Sequence, residues 1–242
     1  GILAYFSLRN VPVDRSRVNL PMRDKMTEMS RAVTILFTNQ HVFYACLILI
    51  INTLSLFGFA IIMPLLFVDR LGFTISEWLQ IWAVFFFVTI FTNIFWGITG
   101  EKLGWIRQVR WFGCLGMAIS SLLFYYLPLY AGHNFWVALI PAVMLGIFVA
   151  AFVPMPAVFP TLEPHHKGAA VSIYNLSAGL SNFVAPAIAS VMLPFFDIVG
   201  VVWAYTALYV FAGVLTFIIR VPQPGHTRAE KVLKSRVAEQ RS

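Results

Sequence analysis

The chain has 242 residues, of which 60% are hydrophobic and 11% charged, where a soluble domain has about a quarter of its residues charged. A soluble fold of this length would need far more polar surface, so that class is excluded. The formal net charge of +7 does not make it a nucleic-acid binder either, because the basic residues flank apolar runs and form no patch of their own.

In chain order, Gly1 to Leu8 is a short apolar run that begins without Met and ends at Arg9. It reads as the cytoplasmic end of a preceding transmembrane helix, and the sequence as cut from a longer protein. Residues 9–40 form a basic connector. Within it Met22, Met26, Met29, Val33, Leu36 and Phe37 recur at helical spacing, with Arg23, Asp24, Lys25, Glu28 and Arg31 on other faces. That pattern predicts an amphipathic helix lying along the inner membrane surface.

Residues 41–221 carry six apolar runs, placed at Val42–Val68, Trp78–Gly100, Trp111–Tyr130, Phe135–Pro160, Ala169–Phe196 and Val199–Val221. Each is long enough to cross a bilayer at about 1.5 Å per residue. Apart from Arg220, next to the last residue of the sixth, no Asp, Glu, Lys or Arg falls inside any of them, in keeping with the cost of a charge at the bilayer centre. Pro64, Pro141, Pro154, Pro156 and Pro186 lie within the runs, and transmembrane helices tolerate them because neighbouring helices satisfy the freed backbone groups. No ten-residue polar/apolar alternation points to a β-barrel. Residues 222–242 are charged and lack aromatics, which predicts a frayed cytoplasmic tail.

Sixteen of the 17 Lys and Arg lie before the first run, after the second, after the fourth or after the sixth; only Arg70 lies on the other side. The positive-inside rule then puts both termini in the cytoplasm, with the loops around Asp69, His133 and Asp197 outside. Cys46 and Cys114 fall inside apolar runs and predict packing rather than a disulfide. His41, His133, His165, His166 and His226 lie at span ends or in loops, without metal-ligand spacing. No phosphate-binding glycine loop, nucleophile elbow or pair of carboxylates within a span is present. The expectation is no enzyme, no cofactor and no metal.

The most specific motif is Gly97-Ile-Thr-Gly-Glu101-Lys102-Leu-Gly104-Trp-Ile-Arg107, between the second and third spans. It resembles the loop signature of the major facilitator superfamily, with Glu and Lys for the usual Asp and Arg. The fifth span, Lys167-Gly168-Ala-Ala-Val-Ser172 through Asn175 and Gly179 to Pro186, resembles the small-residue penultimate helix of the same superfamily. Ile51-Asn52-Thr53, Phe57-Gly58-Phe59, Ser76-Glu77-Trp78-Leu79-Gln80, Gly104-Trp105, Gly168-Ala-Ala and Asn175-Leu look like the polyol permeases, over most of residues 30–220.

The resemblance implies an all-α membrane protein: a six-helix bundle, one half of a major facilitator fold, with three plus three spans in inverted repeat. Its implied partners are the bilayer, a small polyhydroxylated solute and an N-terminal six-helix half, with proton symport by alternating access in the inner membrane. The first and fourth spans should form most of the cavity wall. Gly97, Glu101, Lys102, Gly104, Arg107 and Gly168 would serve gating. Glu101 would sit beside the start of the fifth helix, whose free N–H groups favour a carboxylate.

From the residues alone, Asn52, Thr53 and Ser55, then Thr89, Thr92 and Asn93, then Asn175, Ser181 and Asn182 supply neutral donors and acceptors suited to hydroxyl groups. Asn52, Ser55, Asn93, Asn175 and Asn182 are taken as the solute-binding candidates. Trp82, Trp96, Phe148 or Phe152 would supply apolar walls. Each amide has an alternative role in bonding a neighbouring helix. A permease for a sugar or small organic acid, and a self-assembling six-helix channel or scaffold, remain as rival readings.

Overall fold

A computed structural model describes residues 32–219 and residue 221. The expected end of a preceding helix (1–8), residues 9–31 of the connector and the tail 222–242 lie outside the described residues. Among the described residues there is no β-strand, and nearly all are helical. The last part of the connector, residues 32–38, is a helix. Asn39 then starts a new one, its side-chain oxygen accepting from the backbone N–H groups of His41 and Val42; Asn is a favoured residue for this role.

Five helices among the described residues are long and apolar enough to cross a membrane. We call the first four α1 (Gln40–Arg70), α2 (Ile75–Leu103), α3 (Trp105–Ala131) and α4 (Phe135–Leu162). The fifth runs from Lys167 to Leu215, 49 residues, or about 73 Å if straight, more than twice the hydrocarbon thickness. It is two crossings. Asp197 has φ 57° and ψ −172°, outside helical space. Beyond it the chain runs back on itself: the Tyr205 hydroxyl donates to the Ala185 carbonyl at 2.7 Å, whereas residues 20 apart on one straight helix are about 30 Å apart. We therefore distinguish α5 (167–196) and α6 (198–215). The turn falls where the sequence puts the fifth loop.

Local chemistry sets the other boundaries. Thr74 and Glu77 form a capping box at the start of α2: the Thr74 side chain accepts the Glu77 N–H, and the Glu77 carboxylate accepts the Thr74 N–H at 2.7 Å. Gly104 takes φ 92° and joins α2 to α3 without an intervening loop. This moves the start of α3 back to Trp105 from the expected Trp111, and places Arg107 and Arg110 on the helix rather than in a loop. Arg110 reaches the end of α6, donating from Nε to the Thr216 hydroxyl at 2.8 Å and from Nη2 to the Thr216 carbonyl at 2.9 Å. A basic side chain there satisfies a carbonyl that the helix end leaves free. Correspondingly α6 ends at Leu215 and turns at 216–218, short of the expected Val221.

α1 is the packing centre. Phe59 stacks on Phe124 of α3 and Phe67 meets the same ring at a tilt, each with ring centroids 5.6 Å apart, and Phe59 also meets Tyr205 of α6. On the side of α5, Cys46 bonds Ser177 at 2.7 Å and Thr53 bonds Ser181 at 2.7 Å. In contrast α2 leaves Phe87, Ile90, Phe91, Ile94, Phe95 and Ile98 exposed. In water such a face would be an interaction or aggregation site; for a helix in a bilayer it is the ordinary outer surface.

Asp197 pairs with Arg70 at the end of α1, 2.6 Å apart, with both side chains about half exposed. An exposed pair contributes about 0–1 kcal/mol, whereas an L-residue forced into this backbone region costs about 1–3 kcal/mol. Asp197→Gly and Asp197→Ala both delete the pair, so their difference reports the backbone alone. We expect the Gly variant of the whole protein to unfold with about 1 kcal/mol more stability than the Ala variant. Equal melting temperatures in detergent would show the turn to be unstrained.

Candidate functional site

The site is built where two helices lose their regular hydrogen bonding. α1 is interrupted at Thr53, which has φ −100° and ψ 12°, between the helical segments Gln40–Asn52 and Leu54–Pro64. No Pro or Gly causes this break. α4 is interrupted at Ala150–Phe152, a turn of 3₁₀ helix followed by Pro154 and Pro156. Here the cause is local, since proline has no N–H to donate. The Ala150 carbonyl takes the Val153 N–H instead.

Neighbouring side chains tie down the carbonyls of α4 around its break. Thr92 of α2 donates to the Gly146 carbonyl at 3.2 Å, and Trp96 to that of Ile147 at 2.7 Å. Gln108 of α3, fully buried, donates to the Ala151 carbonyl at 3.0 Å. At the α1 break the Tyr209 hydroxyl, from α6, accepts the Ser55 N–H at 3.1 Å and donates to the Asn52 carbonyl at 2.9 Å.

Between the two breaks lies a cavity of about 420 Å³. α1 lines it with Asn52, Thr53 and Leu56, α2 with Phe85, Thr89 and Asn93, and α4 with Val149, Ala150, Phe152, Val153, Met155 and Pro156. Tyr174 of α5 completes the wall. Asn52 is 8% exposed, and its Oδ1 is buried without a hydrogen-bond partner. A buried acceptor left in that state costs about 1–3 kcal/mol, and this one belongs to a residue of the cavity wall. No lining residue is charged. The broken step of α1 lies near the middle of that helix, 13 residues into a span of 31, which suits a site at membrane mid-depth.

The cavity brings together Asn52 and Asn93 of the five sequence-derived candidates. Ser55 points elsewhere, fully buried, with its hydroxyl 2.8 Å from that of Ser121 on α3. Asn175 and Asn182, seven residues apart, share an exposed face of α5. Of the expected apolar walls, Phe152 lines the cavity. Trp82 stacks between Trp78 and Phe85, at 5.3 and 4.9 Å. Trp96 is spent on Ile147, and Phe148 fills the space left beside Gly116. The sequence reading missed Gln108 and Tyr209, which touch backbone, and Tyr174, which touches the cavity. Only their polarity within apolar runs could have flagged the two tyrosines, and Gln108 fell in the stretch read as a loop.

In the loop motif, Glu101, Lys102 and Arg107 are exposed, with no hydrogen bond or ion pair among the described residues. Gly168, at the start of α5, is also exposed. The expected packing of the end of α2 beside the start of α5 does not occur, because α2 lies against α4. The neighbours of Gly100 are Gln108 and Pro154, which occupy that space. Gly97 faces open space, and the close approach within the motif is at Gly100.

Discontinuous helices lining an uncharged cavity are an arrangement found in membrane transporters. Comparison with known proteins agrees. The profile of the Major Facilitator Superfamily matches residues 2–240. The chain is 64% identical over 227 residues to a ribitol transporter of Klebsiella pneumoniae, covering 94% of this chain and 53% of that protein. It is 62% identical over 237 residues to a D-arabinitol transporter of the same organism, covering 98% of this chain and 56% of the relative. An alpha-ketoglutarate permease of Bacillus subtilis (strain 168) is 41% identical over 223 residues, 92% of this chain and 50% of that one. No solved structure matches the chain. The chain spans about half the length of the curated relatives it matches. It belongs to the Major Facilitator Superfamily, a family of multi-pass membrane transporters.

The α2–α4 wall is close-packed at Gly146, where an added Cβ would fall 2.7 Å from the Phe85 carbonyl oxygen. Gly146→Ala should force α2 away from α4 and lower stability by about 1–3 kcal/mol, the usual cost of overpacking. Thermal unfolding of the purified variant measures this. An unchanged midpoint would mean that α2 moves freely.

Proposed function

We propose that this chain is the C-terminal six-helix half of a proton-coupled transporter for a small polyol such as a pentitol. It would sit in the inner membrane with both termini cytoplasmic and rock against an N-terminal half in alternating access. The observation that carries the reading is the wall of the cavity: neutral amides and hydroxyls, with the unpartnered Oδ1 of Asn52 among them. An alditol offers a row of hydroxyls, each both donor and acceptor, and needs no countercharge. Aromatic and aliphatic neighbours, Phe85, Tyr174 and Leu56, would cover its carbon chain. The two polyol transporters among the relatives favour the same solute class.

A permease for a small organic acid is the second reading, favoured by the alpha-ketoglutarate permease among the relatives. It would need a cation to meet the carboxylates, and this wall offers none. On the proposed reading the exposed face of α5 with Asn175 and Asn182 turns toward the N-terminal half. The coupling proton would use ionisable groups on that half, and the loop from Gly97 to Arg107 would serve the cytoplasmic gate.

Uptake by the whole transporter tests this. Radiolabelled ribitol should enter cells by a route that D-arabinitol competes for and an uncoupler abolishes. Asn52→Ala should raise KM for ribitol by roughly 2- to 12-fold, the range for one net hydrogen bond. Competition by α-ketoglutarate in place of D-arabinitol would replace this reading with the second one. Labelling of cysteines introduced at Lys102 and Asp69 checks the orientation, with Lys102 expected inside.

A further inference from the structure

The break in α1 has no proline or glycine to cause it, and its cause lies on another helix. In an unbroken helix the Ser55 N–H would bond the carbonyl of Ile51. Here that carbonyl takes the N–H of Thr53, and Ser55 donates instead to the Tyr209 hydroxyl at 3.1 Å. The same hydroxyl donates to the Asn52 carbonyl at 2.9 Å. One phenol therefore sits across the broken step and serves as acceptor on one side and donor on the other. Tyr209 is fully buried, so water has no access to take over either bond. The residues at this step are the ones that reach the cavity: Asn52 with its unpartnered Oδ1, and Thr53 beside it. Tyr209 itself is not part of the cavity wall.

We propose that Tyr209 is a positioning residue for solute binding: its hydroxyl holds α1 open at Asn52–Thr53 and so aims the Asn52 amide into the cavity. This rests on the reading of the cavity as the solute site. Tyr205 provides the internal comparison. It is equally buried on the same helix, four residues away, but its hydroxyl bonds the Ala185 carbonyl of α5 and does not touch the break.

The experiment measures ribitol transport by the whole protein carrying Tyr209→Phe, Asn52→Ala, both together, or Tyr205→Phe. Loss of the Tyr209 hydroxyl should raise KM by an amount that does not exceed the roughly 2- to 12-fold rise expected for Asn52→Ala and change the maximal rate less than about twofold, since the residue acts through binding geometry. In the Asn52→Ala background the same change should add little, because the group being aimed is gone; such non-additivity is the mark of residues acting as one unit. Tyr205→Phe should leave KM unaltered. An unchanged KM in folded Tyr209→Phe, or an effect that simply adds to that of Asn52→Ala, overturns the proposal. If Asn52→Ala itself leaves KM unchanged, it is the solute-site reading that fails. Should Tyr209→Phe not fold, para-aminophenylalanine at position 209, which keeps a donor in the same place, decides. A KM within about threefold of wild type supports the positioning role, and a larger rise overturns it.

Discussion

In hydrocarbon there is no water to take up a backbone group that a helix lets go, so every interruption of a transmembrane helix must be answered by another part of the protein. Two interruptions organise this bundle, at Thr53 in α1 and at Ala150–Pro154 in α4. The answers come from side chains on the helices packed against them. Tyr209 answers for α1, while Thr92, Trp96 and Gln108 answer for α4. Each is a polar residue, all but Gln108 placed inside an apolar run, and each faces a backbone atom rather than the cavity. The broken helices in turn leave free the side chains that do face it, Asn52 and Asn93 foremost. Polar residues at the two breaks thus divide into those that hold the backbone and those left facing the cavity.

That division explains how far the sequence could be read. The number of crossings, the turn at Asp197, the glycine at the α2–α3 junction and the caps at Asn39 and Thr74 all depend on local composition, and local composition is what a sequence displays. The class of the polar residues was also plain: neutral amides and hydroxyls in otherwise apolar helices. Which of them meet the cavity was not. Spans that are apolar all round carry little periodicity, so the rotation of each helix is set by packing and cannot be taken from the pattern. Ser55 and Asn52 are three residues apart, yet one bonds Ser121 and the other lines the cavity. The break at Thr53 was hidden for a stronger reason. Ile51-Asn52-Thr53-Leu54 has no helix breaker, and the partner that stabilises the break is 157 residues away.

The loop motif shows the same limit from another side. Gly97 and Gly100 are both in the signature, and spacing alone cannot say which one a neighbour approaches. Pro154 and Gln108 crowd Gly100, while Gly97 meets nothing. Likewise Glu101 carries a charge at the right depth to meet a helix N-terminus, but α5 is not the helix beside it. With Glu101, Lys102 and Arg107 all exposed, the motif's charges have their use, on the proposed reading, at a surface this chain presents rather than within its own bundle.

The same reasoning separates recognition from coupling. A wall without Asp, Glu, His, Lys or Arg can bind hydroxyls whatever the protonation state of the rest of the protein. On the proposed reading it therefore gives selectivity for an uncharged solute without making affinity depend on the proton. Coupling needs the opposite, a group whose charge changes and whose change alters the balance between two conformations; a ligand with equal affinity for both shifts nothing. Among the described residues the charged groups stand at the ends of helices: Arg70 with Asp197, Glu77 in its capping box, Arg110 on the end of α6. Each is tied into local structure at the rim, away from the cavity. On the proposed reading, a bundle arranged in this way holds and releases a polyol. The work of linking that event to a proton gradient would then fall to groups on the N-terminal half, facing the cavity from the opposite side.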